Sequence, residues 1–276
     1  MAVPAAPGRP RVAGRTRRGP LFTGLARSEW IKLRTLRSSY WTLLAAAVAM
    51  TGFGGLLSAS YARHLTPAAR AALDPASYSE SGFFLAQLAI GVLGVLVMTG
   101  EYATGSIRST LAAAPQRVAV LAAKAGVFGA AAFATGLASS FAAFFLGQAI
   151  FASTGIPGSL AAPGALRTVL GAALYLAVFG LLSLGLGALI RRTAGAIAIV
   201  IALLIFLPAA AGGLPAAWQE DVNPYLPSVA GQVIIGRTKF TPPGHLLAPW
   251  AGFAVFCAYT AAALVAATIL LHHRDA

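Results

Sequence analysis

Few side chains in this sequence could do covalent chemistry, and none stands in the pattern that chemistry requires. His272 and His273 close the last apolar run, while His245 lies in a Pro-rich segment far from them; no His-Glu-x-x-His pattern unites them. Cys257 is the single cysteine, so neither a disulfide nor a cysteine-pair metal site exists, and inside an apolar run it reads as a small packing residue. A Gly-x-Ser-x-Gly nucleophile elbow is missing. None of the three lysines, Lys32, Lys124 and Lys239, follows the Gly-rich run that a phosphate loop demands. Glu220 and Asp221 are adjacent acids on a Pro-rich segment, a slender basis for hydrolysis. The sequence therefore predicts no catalytic residue, no metal site and no cofactor held by this chain.

The elements that carry these residues are apolar. Of 276 residues, 58% are hydrophobic and 10% charged, mean hydropathy is +0.78, and the formal charge is +13. Soluble domains carry about 25% charged residues, which sets this chain apart from them. Six uncharged apolar stretches, at 41–60, 83–99, 125–151, 169–190, 194–211 and 250–271, stand out. A helix crosses the hydrocarbon layer in roughly 20 residues. With no water to satisfy the backbone, amides in such runs close their bonds within a helix. The expected fold is all-α, an integral membrane protein with six transmembrane helices.

Basic residues set the direction. With the amino terminus inside, fifteen Lys and Arg fall on the inner side, nine of them before Trp41, and five fall outside, at Arg63, Arg70, Arg167, Arg237 and Lys239. Both termini are expected to be cytoplasmic, in a multi-pass cell-membrane protein. Ser58-Ala59-Ser60 and Arg17-Arg18 faintly resemble signals for processing and export, but the apolar run exceeds a signal core and lies far from the arginine pair. Residues 1–20 hold four Pro, three Gly and five Arg and no acid, which reads as a disordered basic tail; 21–276 reads as one six-helix transmembrane domain. The basic surplus follows from topology and calls for no nucleic acid.

Two segments on the expected inner side are more specific. From Leu21 to Tyr40, residues Phe22, Leu25, Ala26, Trp30, Leu33, Leu36 and Tyr40 share one helical face, with Arg27, Arg34, Thr35 and Ser38 opposite. Such a helix lies in the headgroup layer of a lipid bilayer. Glu29 falls on the apolar face, where a bare carboxylate is costly, so it needs a partner: Lys32, one turn on, or a second protein. After the second run, Glu101-Tyr102-Ala103-Thr104-Gly105-Ser106-Ile107-Arg108 concentrates an acid, a base and hydroxyls in a stretch that could dock on another protein.

Together, Glu-Tyr-x-x-Gly-Ser-Ile-Arg-x-Thr-Leu, Ser28-Glu29-Trp30-x-Lys32-Leu33-Arg34 and Tyr40-Trp41-Thr42 resemble the permease subunits of type 2 ATP-binding-cassette (ABC) transporters, with actinobacterial members the nearest likeness. The likeness covers residues 21–124 by motif and the rest by span count. It implies a dimer of permeases, each bound by a cytoplasmic ABC ATPase that holds the ATP and Mg. It also implies a coupling helix between spans two and three, with Glu101, Tyr102, Gly105 and Arg108 at the ATPase contact, and an interfacial helix carrying Glu29, Trp30 and Arg34. A re-entrant external segment before the last span is implied as well, among Pro224, Pro227, Pro242, Pro243 and Pro249, with 228–236 its one short apolar piece.

The apolar runs hold no Asp, Glu, Lys, Arg or His in their cores, and a proton-driven carrier usually needs such groups at depth. The expectation is therefore an exporter of an amphipathic or apolar small molecule, driven by a separate ATPase. A non-transporting membrane sensor or assembly protein, a small ion-coupled carrier and a membrane hydrolase remain as alternatives.

Overall fold

A computed structural model describes residues 18–64, 74–113, 116–156, 158–213, 215–236 and 246–273; side chains at 18–21, 108, 111, 113 and 216–218 lie outside that description. Residues 1–17 of the expected basic tail (1–20), Pro242, Pro243 and His245 therefore fall outside the described residues, while 18–20 open the first helix.

The described residues are mostly helical, with no strand among them, and six helices are long and apolar enough to cross a membrane. The chain is an all-α, multi-pass membrane protein. Each expected span lies inside one of these helices, and most helices run well beyond the uncharged core. A lead-in helix α1 (Arg18–Thr35) is followed by α2 (Arg37–His64), the first span. The expected single helix from 21 to 40 breaks at Leu36, where Ser39 N–H turns back to the Leu36 carbonyl. A short α3 (Pro75–Ser79), capped by the Asp74 carboxylate, runs through a 3-10 turn (Glu80–Gly82) into α4 (Phe83–Thr104), and together they make the second span. Gly105, at φ +69°, ends α4 in the left-handed conformation that glycine takes without strain. Then comes α5 (Ser106–Ala113), eight residues long.

The third span is α6 (Arg117–Ala152) and the fourth is α7 (Ala165–Ile190). In the fifth, α8 (Thr193–Ile201) passes through a π turn (Ala202–Phe206) into α9 (Leu207–Ala211). Pro208 offers no N–H and crowds the carbonyl four residues back, and the widened turn accommodates it, with Leu207 N–H reaching the Ala202 carbonyl. The stretch expected to re-enter the membrane holds α10 (Ala216–Val222) and a buried short helix α11 (Pro227–Gln232) with a 3-10 turn through Ile235, packed on the fourth and last spans. The last span is α12 (Pro249–His273).

At the centre stands α7, packed against α4, α6 and α12. Its approach to α4 needs small residues, because lipid supplies no hydrophobic force between helices and close backbone contact must hold them. A Cβ on Gly94 would stand 2.5 Å from the Gly180 carbonyl oxygen, and one on Gly187 3.1 Å from that of Val95. The small residues of the sequence thus pack the interior of one chain. Outward faces carry large apolar side chains, among them Val48, Leu56, Phe145, Phe206 and Val265.

Gly82 abuts the Met50 main chain, whereas Gly126 on α6 has open space around its Cα. Gly82→Ala is expected to lower stability by about 1–3 kcal/mol, while Gly126→Ala is neutral or slightly stabilising. Thermal unfolding of both variants in detergent checks the pair; equal melting points would discredit the α2–α4 packing.

Candidate functional site

Where α1, α4 and α6 meet, four charged side chains interlock. The Lys124 ammonium on α6 donates to Glu29 Oε2 at 2.6 Å and to Glu101 Oε1 at 2.8 Å. Lys32 on α1 donates to Glu29 Oε1 at 2.7 Å and to the same Glu101 Oε1 at 2.8 Å. Two positive and two negative groups cancel, and each ammonium spans both carboxylates. Burial makes that cancellation necessary: Lys124 is 2% exposed and Glu29 6%, and an unpaired charge in such surroundings would be driven to neutralise.

The elements explain the geometry. Glu29 and Lys32 lie one turn apart on α1, so their side chains share a face. Glu101 lies in the last turn of α4, and Lys124 two turns into α6. Glu29 thus has the local partner its sequence position suggested, plus a second one from α6. Burial lowers the proton affinity of Lys32, but the hydrogen bonds to Glu101 and Glu29 outweigh that and raise it above the ordinary value of 10.5. Lys32 accordingly stays charged across the neutral range. One acceptor is left over, Glu101 Oε2, which is buried with no partner among the described residues.

The other residues singled out in the sequence disperse. Tyr102 is half-buried beneath Arg191, whose guanidinium carbon is 5.1 Å from the ring centroid. Arg191 itself caps α7 at φ +58°, donating its N–H to Gly187. Gly105 forms the exposed hinge between α4 and α5. Arg108 lies on α5, and its side chain lies outside the described residues. Trp30 is 50% exposed and Arg34 is exposed. On α5, Ile107 is buried in the main core while Ser106, Ser109 and Ala112 face outward. The apolar arc of the lead-in divides: Leu25, Ala26 and Leu33 are half-buried, while Phe22, Leu36 and Tyr40 stay exposed.

The cores of the six apolar runs hold no ionisable group, as the sequence reading has it, but the helices do carry such groups beyond those cores. Helices reach beyond the uncharged runs, and Glu101 and Lys124 are buried on those extensions. A third such group, Glu80, sits in the 3-10 turn at the opposite end of the second span, about 30 Å from Glu101 at 1.5 Å per residue. Glu80 is 0% exposed, and its Oε2 accepts from Ser140 Oγ at 2.8 Å while its Oε1 has no partner among the described residues. Midway along the bundle, Tyr175 Oη donates to Gln87 Oε1 at 2.6 Å, pairing two polar span residues. No group of three metal-ligating side chains occurs among the described residues.

Lys124→Met strips the quartet of its most buried cation and should cost about 3–5 kcal/mol. Adding Glu29→Gln restores neutrality, so the double variant is expected to recover part of that loss. A double-mutant cycle on melting temperature measures the coupling, and strictly additive penalties would mean the four charges do not act together. No protein-family model matches this chain, and no curated protein matches it.

Proposed function

We propose that this chain is the permease subunit of an ABC transporter, an exporter of an amphipathic or apolar small molecule, worked by a separate cytoplasmic ATPase that binds ATP and Mg and paired with a second permease copy or homologue. The observation that carries the reading is the joint between α4 and α5. An eight-residue helix with an outward hydroxyl face hangs from the second span by Gly105. One turn above that hinge, Glu101 is bound to both α1 and α6. A push on α5 would therefore reach three helices at once rather than bending one loop. Alternating access needs such a rigid linkage, since packed helices shift as units between discrete arrangements. The motif likeness at Glu101–Arg108 and Ser28–Arg34 falls on this same joint.

In this reading α5 meets the ATPase through its exposed side, and the charge quartet works inside the permease as the coupling strut. Glu101 and Glu29 hold helices together, and Ser106, Ser109 and the Arg34 side of α1 supply outward surface. Ser109→Trp is then expected to lower ATP turnover of the co-purified ATPase by about tenfold, the loss of one good interface contact. Expression and melting temperature should stay unchanged. Absence of any co-purifying ATPase, or full turnover in the variant, would defeat the assignment.

Glu80 favours one second reading, a small ion-coupled carrier, because a buried carboxylate with a free oxygen is the kind of group that takes up and releases protons. Proteoliposomes of the chain alone, loaded with a pH-sensitive dye, separate the two. The carrier reading expects proton entry that Glu80→Gln abolishes; the permease reading expects none from either protein.

A further inference from the structure

Ser140, on α6, makes two contacts of 2.8 Å, one to Glu80 Oε2 and one to the main-chain carbonyl of Val169 on α7. A hydroxyl has a single proton to give, though it can accept twice. Taken alone, the Glu80 contact fits a serine donating to a carboxylate. The Val169 contact removes that choice, because a carbonyl oxygen has no proton and only the serine can supply one. With the Ser140 proton spent on Val169, the proton between Ser140 Oγ and Glu80 Oε2 has to come from the glutamate. Were Glu80 ionised, one of the two contacts would set lone pair against lone pair in a buried site.

We infer that Glu80 is an un-ionised carboxylic acid that donates to Ser140, so that one relay, Glu80 to Ser140 to Val169, ties the second, third and fourth spans together at this end. Two further observations agree. Glu80 is 0% exposed, yet unlike Glu29 and Glu101 it forms no ion pair with any described Lys, Arg or His. Arg63, His64 and Asp74, the charged or titratable groups near this end of α2 and α3, are exposed, and Arg167 of α7 lies against Gly164. A neutral acid is far less costly to enclose there than an unpaired charge. Glu80 Oε1 is buried with no partner among the described residues. In a neutral acid it is an uncharged carbonyl oxygen, whereas in a carboxylate it would share the negative charge, and leaving that unmet costs more. The same proton count fixes what ionisation would do: the carboxylate and the Val169 carbonyl would compete for one serine proton, and the third span would lose its tie to the second or to the fourth. The inference rests on neither transport reading, since it states where the proton resides and not whether it ever leaves.

Infrared difference spectroscopy of the full chain in proteoliposomes near neutral pH, wild type minus Glu80→Gln, tests this. The expected result is the carbonyl band of an un-ionised carboxyl, present in the wild type and lost in the variant. The Gln amide can donate to Ser140 in the acid's place, so this variant is expected to fold as the wild type does. Ser140→Ala removes the acceptor of the Glu80 proton and should move the band to higher frequency, while Ser140→Thr keeps a hydroxyl and should leave it in place. These two variants retain the glutamate and read the same group if the Gln variant does not fold. Carboxylate bands in place of the carboxyl band, or a carboxyl band that Ser140→Ala leaves unmoved, would overturn the inference. Proton entry into dye-loaded vesicles reports whether the proton leaves; the infrared band reports whether it is there.

Discussion

Two lysines and two glutamates, drawn from three helices, hold one end of this bundle in register. Three of the four are buried, so each of those charges can exist there only if its partners are in place. The hydrophobic effect cannot supply that specificity, because lipid tails are as apolar as the leucines they would displace. Breaking one member leaves its neighbours unmatched, and this gives the quartet authority over helix position that no single apolar contact has. Three features follow from it: α1 is fixed to α6, Glu101 turns inward, and the hinge at Gly105 starts from a rigid base.

The opposite end is organised by contact instead of charge. Gly82 lies against the Met50 main chain and Gly54 faces Ser79, so α2 and the start of the second span touch along backbone. Ser140 reaches both Glu80 and the Val169 carbonyl. Between the two ends, the Gly94–Gly180 and Val95–Gly187 approaches make α7 the axis on which α4 rests. The last span is the least enclosed of the six, with the first and fifth next, and these three present much of the outward apolar surface.

Span number and span position were legible because apolar run length is a local property of the chain. The extent of each helix was not, since polar ends such as 75–82 and 117–124 look like connections until packing encloses them. Glu29 announced its need for a partner by falling on an apolar face, and Lys32 was within reach by helical spacing. Lys124 could not be identified as the second partner: 95 residues separate it from Glu29, and only the rotation of α6 brings them together. It read instead as one more inner-side cation. Glu80 was hidden for a similar reason, standing in a Ser- and Gly-containing stretch of loop-like composition. Gly94, Gly180 and Gly187 were visible, but a chain this rich in Ala and Gly offers too many such spacings for one to stand out. The break at Leu36 left no mark in the pattern, because the apolar periodicity continues across it.

The long separation between Glu29 and Lys124 also bears on biogenesis. During synthesis α1 emerges first, and its carboxylate must wait at the membrane surface while two spans are threaded and a third begins. Only when Lys124 arrives can the acid be enclosed. Until that moment Glu29 has Lys32, one turn along α1, as its partner, and the lead-in helix lacks the anchor on the third span that Lys124 supplies.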